Sequence, residues 1–257
     1  MAGTRRIYIG VNFKKKFADA STGGAALQNQ LVRQALNYAI DVPTICKSLL
    51  NTTCTRPASL VNPPNNDPNI QGYPYDPKKA EQLLDQAGYP RGKDGVRFTL
   101  TLQAPKGRYL KDSEAAQAVG QYFDDIGVKT NVQILDWSSV YVPLLNQHDA
   151  GPLYFIGSGG GTWSALYDMA DITSPTSGPN YGNWPNPEWF KLWDQVTANH
   201  DPQQRRQIIN QMLELFHKDS PWIMLYFQPN YYGVSNRVNW QPRRDEEIWV
   251  NNATLKQ

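Results

Sequence analysis

The sequence predicts an α/β fold, and three observations carry that expectation. Segments of strand and helix periodicity alternate through the middle of the chain. One helix, inside YPYDPKKAEQLLDQAGYP at residues 73–90, is written with both its start and its stop. Hydrophobic residues make up 40% of the 257, enough to bury a sizeable core.

The first element is RIYIGVN, residues 6–12, where Ile7, Ile9 and Val11 recur at every second position as in a strand. Residues 27–41, LQNQLVRQALNYAID, then carry Leu27, Leu31, Val32, Ala35, Leu36, Ala39 and Ile40 on one helical stripe that ends before Pro43. A shorter helix, TICKSLL, follows. Pro57, Pro63, Pro64, Pro68 and Pro74 mark residues 51–75 as a long loop without a regular element, and loops of that length usually have a structural or binding role.

In the 73–90 stretch, Asp76 is placed to cap the first free N–H groups, Pro77 takes the first helical position and Gly88 lies just past the end. Ala80, Leu83, Leu84 and Ala87 recur at spacings of three and four, so one face is buried and the other wet. The alternation then runs VRFTLTLQ as strand, DSEAAQAVGQYFDDIG as helix, VKTNVQIL as strand, WSSVYVPLLNQ as helix and GPLYFIG as strand. Residues 157–187, rich in Gly, Ser, Asn and Trp, read as mostly loop. Two helices follow, PEWFKLWDQVTAN and DPQQRRQIINQMLELFHKD, the second capped by Asp201 ahead of Pro202. PWIMLYFQPNYYGVS and EEIWVNN read as closing strands separated by turns.

Composition excludes several classes of function. With 25 basic and 23 acidic residues the net charge is +2, and no electrostatic footprint for nucleic acid or an anionic membrane is present. No apolar run approaches the roughly 18 residues needed to span a bilayer, and MAGTRRIYIG lacks the apolar stretch of a signal peptide. His148, His200 and His217 show no ligand spacing with the two cysteines, so neither metal nor other cofactor is expected. Cys46 and Cys54 form either a disulfide or two thiols, depending on whether their Cα atoms approach within about 7 Å; export of the protein would favour the bridge. No G-x-S-x-G, H-E-x-x-H or cysteine–histidine signature supports catalysis, so no catalytic residue is assigned and an enzyme is not expected. Eight Trp and fourteen Tyr offer flat apolar faces with polar edges, suited to gripping a small organic ligand and equally to core packing.

VRQALNYAID at residues 32–41, taken together with YPYDPKKAEQLLDQAGYP, resembles the extracytoplasmic solute-binding proteins of peptide-type ABC transporters, the dipeptide and oligopeptide-binding family. The resemblance continues through LTLQAPKGRYLKDSEAAQAVGQYFDDIGVKTNVQILDW and NPEWFKLWDQVTANHDPQQRRQIINQMLELFHKDSPWIMLY, and so covers nearly the whole chain. It implies the periplasmic-binding-protein-like C-terminal lobe, a mixed sheet flanked by helices, with the first lobe missing. On that reading residues 1–12 are the incoming strand from the missing lobe, residues 13–220 the distal ligand-binding lobe, and residues 221–257 return strands toward the missing lobe. Apolar surface near both ends should then be uncovered. The implied function is capture of a peptide or other small solute between two lobes and delivery to an ABC permease. The implied location is the periplasm or outer face of the cell membrane, the signal sequence being absent from this chain. A protein-interaction or sensor module derived from the same lobe is the alternative.

The resemblance also places the cleft. The loop after the TLTLQ strand supplies Arg108, Tyr109 and Lys111, with Arg108 able to pair with a carboxylate and Lys111 to make a point-charge contact; ordinary solvated loop charges are the alternative. Trp137, after VQILD, corresponds to a Trp that flanks the ligand, with core packing as its alternative. The third place is FIGSGGGTW. Where peptide-binding members carry Gly-Trp and then an Asp that pairs with the peptide α-amino group, this sequence has Gly157, Ser158, Gly159, Gly160 and Gly161, with Trp163 able to refill the space. That departure tilts the expected ligand toward a non-peptide or N-terminally blocked solute, such as a sugar. Asp168 and Asp171 offer a displaced acid or a solvated helix end. The glycine run lacks the spacing of a phosphate loop.

Overall fold

The computed structural model describes residues 2–19, 23–159, 163–174, 178–243 and 245–256. Gly160 and Gly161, two of the expected cleft residues, lie outside them. The core is a five-stranded mixed sheet in the order β3-β2-β4-β1-β5, built from β1 (Ala2–Val11), β2 (Phe98–Lys106), β3 (Val128–Asp136), β4 (Leu153–Ser158) and β5 (Trp222–Pro229). β2 runs parallel to both β3 and β4, whereas β1 is antiparallel to β4 and β5. The carboxyl ends of β2, β3, β4 and β5 therefore share one edge of the sheet with the amino end of β1. The two end segments expected to lead to another lobe thus begin as neighbouring strands of this sheet.

β1 is buried from Arg6 to Val11 because it lies between β4 and β5, and Ile7, Tyr8, Ile9 and Val11 are all within 1% of full burial. The β2–β3 pair holds one unbroken register from Phe98↔Val128 to Lys106↔Asp136, bridged by α5 (Asp112–Asp125). Close approach of that helix needs Gly120, where a Cβ would stand 2.6 Å from Val132 Cγ2.

The expected helix over residues 27–41 is divided into α1 (Gly24–Leu27) and α2 (Gln30–Tyr38). Asn29 causes the break: its backbone is extended and its side chain accepts from the Leu31 N–H, so it starts a new helix instead of continuing the old one. α4 (Pro77–Gln86) starts as expected on the capping carboxylate of Asp76, whereas α3 (Val42–Leu49) starts on Asp41, which the sequence pattern places at the end of the preceding helix. The WSSVYVPLLNQ helix opens with a wide turn at Trp137–Tyr141, closed by the Val142 N–H on the Trp137 carbonyl, before α6 (Val142–Asn146). Inside the expected loop at 157–187 lies a short helix, α7 (Ala165–Met169). α8 (Pro187–Ala198) and α9 (Pro202–Asp219) pack on each other, and Trp184, Trp189, Phe216 and Trp222 form an aromatic cluster that Tyr8 extends by stacking on Trp222 at 3.8 Å.

The long 51–75 loop covers the open edge of β5. The Phe227 N–H donates to the Thr55 carbonyl, and the largely buried Arg56 side chain donates to the carbonyls of Met224, Tyr73 and Asn37. Burial lowers the Arg56 pKa to about 10. Occupation of that edge also corrects one expectation: EEIWVNN forms no sheet strand. Val250–Asn252 is a 3₁₀ turn, and the remaining pairing is a two-residue ribbon of β6 (Val238–Asn239) and β7 (Thr254–Leu255). Uncovered apolar surface is present at the C-terminal end, where Tyr231, Ile248, Trp249, Val250 and Leu255 are at least half exposed.

Cys46 and Cys54 form a disulfide across a Cα–Cα distance of 5.8 Å, resolving the alternative left open by the sequence. The bridge closes a short loop that joins α3 to the edge-covering segment. Reduction is expected to lower the unfolding free energy by about 2 kcal/mol, as measured by urea denaturation with and without dithiothreitol.

Candidate functional site

A cavity of about 280 Å³ opens where the β-strands end, lined by Tyr8, Arg108, Tyr109, Trp137, Ile156, Gly157, Ser158, Asp171, Pro179 and Tyr181. The period of two explains the convergence. Register pairs Arg6 with Ser158 and Tyr8 with Ile156, so all four side chains stand on the same face of the sheet at its cleft end. Ligand sites of open α/β sheets form at this same place, beyond the carboxyl ends of the strands.

Tyr109 is anchored from several directions. Its hydroxyl donates to the Gly157 carbonyl at 3.1 Å, and the N–H groups of Arg108 and Tyr109 both donate to Asp112 at the start of α5. Gly157 has to lack a side chain, since a Cβ there would lie 2.9 Å from the Tyr109 ring and 2.7 Å from Ile7. Burial raises the Tyr109 pKa. The Arg108 guanidinium rests over the Tyr109 ring at 5.3 Å and the Trp137 ring at 5.4 Å, exposed at the rim and without an ion pair among the described residues. Trp137 is half-buried, positioned by the wide turn that Asp136 caps at Ser139. Its edge-on contact with Tyr109 at 6.0 Å completes the aromatic wall.

A second hollow, about 180 Å³, adjoins the first through Gly157, Ser158 and Asp171 and adds Arg5, Arg6, Gly159, Tyr167 and Asp168. Here Arg6 and Asp168 form an ion pair of 3.1 Å with both side chains 1% exposed. The other Asp168 oxygen accepts the Asn62 N–H at 2.9 Å, and Arg6 also donates to Ser158 Oγ at 3.3 Å. Burial raises the Asp171 pKa to about 6; Arg6 opposes the rise, Asp168 adds to it, and a hydrogen bond from Ser158 works against it. Asp168 and Asp171 are therefore not a solvated helix end.

The cavity brings together Arg108, Tyr109, Trp137 and Ser158, with Gly159 in the adjoining hollow. Lys111 stands apart: it begins α5 in a left-handed conformation, pairs with Glu114 at 2.7 Å and is not in the wall of either hollow. Trp163 faces a different hollow of about 200 Å³, with Thr4, Thr55, Asn62, Pro63 and Phe227. Sequence reasoning missed Arg6, Tyr8, Pro179 and Tyr181. The alternation of Arg6 and Tyr8 with Ile7 and Ile9 was available as a signal; nothing local marks Pro179 or Tyr181.

The sequence profile of the bacterial extracellular solute-binding proteins, family 5 (middle), matches residues 1–180. This chain belongs to that family. Similar proteins include the heme-binding protein A of Haemophilus influenzae, 27% identical over 85% of this chain and 40% of its own length. The oligopeptide-binding protein AppA of Bacillus subtilis is 25% identical over 95% of this chain and 46% of its own. The glutathione-binding protein GsiB of Salmonella typhimurium is 30% identical over 85% and 41%. The chain thus spans less than half the length of these relatives. Among solved structures, HbpA2 from Haemophilus parasuis superposes with a TM-score of 0.81 at 22% identity, covering all of this chain and 49% of that one. AppA of B. subtilis, in complex with a nonapeptide, superposes at 0.80 and 23% over all of this chain and 52% of that one. Family 5 proteins are binding proteins, and the α/β lobe with a mixed sheet is their fold.

Two outcomes follow from the electrostatics. Arg6→Ala leaves the buried Asp168 carboxylate without its paired cation and should lower stability by about 3–5 kcal/mol in chemical denaturation. Asp171, with its folded pKa raised to about 6, contributes stability that is complete at acid pH, below its unfolded value, and lost as pH rises through the folded one. Asp171→Asn should therefore match the parent near pH 3.5 and exceed it by about 1–3 kcal/mol at pH 7.5, as measured by parallel urea titrations.

Proposed function

We propose that this chain is one lobe of the substrate-binding component of an ABC importer, at the outer face of the cell membrane or in a periplasm, and that it supplies one wall of a cleft that closes on a peptide or other small solute. The observation that carries this reading is the cavity at the strand ends, where Arg108, Tyr109 and Trp137 form a preassembled wall, the Arg108 cation at its rim having no ion pair among the described residues. Family membership and coverage of less than half of each curated relative support a second wall from the rest of the protein. Hinge closure of the two walls would bury the solute, and the closed form would dock on a membrane permease, where transport itself takes place.

The wall seen here is rigid for physical reasons. Tyr109 is held at its hydroxyl, its N–H and its ring, so little side-chain entropy remains to be lost on binding. Arg108 offers the paired donors that a carboxylate accepts.

The reading is tested by titrating this chain and the full-length protein with free peptides, N-acetylated peptides and oligosaccharides, following tryptophan fluorescence and thermal shift. The lobe should bind at least about tenfold more weakly than the full-length protein, because a ligand then loses one of its two walls, and Trp137→Ala should weaken both. Affinity of the full-length protein unaffected by Trp137→Ala would overturn the assignment of this cavity.

A further inference from the structure

The hollow that Trp163 faces shares no lining residue with the cavity of Arg108, Tyr109 and Trp137, yet it lies on the same edge of the sheet. Thr4 near the start of β1 and Phe227 near the end of β5 meet there with Asn62 and Pro63 of the 51–75 loop. Its volume of about 200 Å³ far exceeds the roughly 15 Å³ that one water needs. The lining is largely apolar, and among the described residues no charged side chain contributes to it.

Asn62 is the polar exception in that wall. Its backbone is fixed from both sides, the N–H donating to Asp168 at 2.9 Å and the carbonyl accepting the Asn65 N–H at 3.0 Å. The residue is 1% exposed, yet neither Oδ1 nor Nδ2 of its side chain has a hydrogen-bond partner. Buried carboxamides ordinarily find partners for the oxygen and for the two N–H donors, and one that does not marks a place where something else supplies them. The carboxamide is thus held in position while its own hydrogen-bonding positions stay open.

We propose that this hollow is a second subsite, taking a neutral flat ring that carries an N–H donor and a carbonyl acceptor side by side, as a lactam does. Oδ1 and Nδ2 of a carboxamide share one edge, so their complement is an N–H next to an acceptor, the pairing by which Asn also reads the edge of adenine. A single trans peptide group points its N–H and C=O in opposite directions and fills only one of the two positions. Phe227, Pro63 and the Trp163 face supply the apolar surface for the ring. Both carboxamide atoms are shut from bulk solvent, and the Trp163 ring, 47% exposed, is the wall that turns to admit the ligand. This inference rests on the solute-capture reading and names a chemical group that the solute carries.

The test uses three probes on the full-length protein, read by isothermal titration calorimetry: 2-quinolone, N-methyl-2-quinolone, which lacks the N–H, and acetanilide, whose amide is trans. 2-Quinolone should bind at least about tenfold more tightly than either, because each analogue leaves one Asn62 position unpaired. Asn62→Leu should bring the two quinolones to similar affinity, and Trp163→Ala should weaken 2-quinolone by about tenfold. The Asn62 side chain makes no hydrogen bond in the fold, so Asn62→Leu breaks none; circular dichroism and thermal melting of the variant check that it is folded. The comparison of the two quinolones on the parent needs no variant. Equal binding of the two quinolones to the parent, or a 2-quinolone affinity untouched by Asn62→Leu, overturns the proposal. If 2-quinolone fails to bind while an oligosaccharide or N-acetylated peptide binds in a Trp137-dependent way, this inference falls and the solute-capture reading stands.

Discussion

The buried ion pair between Arg6 and Asp168 is the contact on which the cleft edge of this lobe depends. It joins three segments far apart in sequence: β1 through Arg6, the short helix α7 through Asp168, and the 51–75 loop through the Asn62 N–H that the same carboxylate accepts. Two charges taken out of water recover the cost only with good geometry and full hydrogen bonding, and here several of their atoms remain without partners. The pair therefore acts mainly to set position: it holds α7 and the following Asp171 against the sheet, where they form one side of the hollows.

A second constraint is the sheet's own order. β1 lies between β4 and β5 and antiparallel to both, and its register with β4 puts Arg6 and Tyr8 beside Ser158 and Ile156 at the end where β2 and β3 deliver Tyr109 and Trp137. The terminal position of β5 would leave a row of unpaired backbone groups, and Arg56 with Thr55 covers it. The disulfide at Cys54 fixes the start of that covering segment. Stability and site are thus coupled through one loop, since the segment that covers β5 also reaches Asp168.

Much of the fold was legible. Asp76 and Asp201 announce helix starts through a local hydrogen bond to a backbone N–H, an interaction that needs no tertiary context. The alternation from Val96 to Gly157 announces the βαβ unit for the same reason. The misses have physical causes. Asn29 divides an apolar stripe that looked continuous, because a cap competes with a helix interior for the same side chain. EEIWVNN has the composition of a strand, yet a strand needs an edge, and the β5 edge was already occupied.

The site was legible in part. Arg108, Tyr109 and Trp137 follow strands that end together, and family resemblance pointed to them; Lys111 follows the same strand and turns away, because one left-handed residue starts α5 and Glu114 takes its charge. Asp171, a residue the sequence left between two roles, becomes a half-buried acid in the cavity wall because Arg6 and Asp168 hold its segment down. The sequence by itself determined the class of fold, the helix boundaries set by caps and the family, all of which rest on local chemistry and on patterns of spacing. Only the tertiary structure decided which charges meet, since Arg6 and Asp168 are separated by more than half the chain and the energy of a buried charge depends on what surrounds it in space.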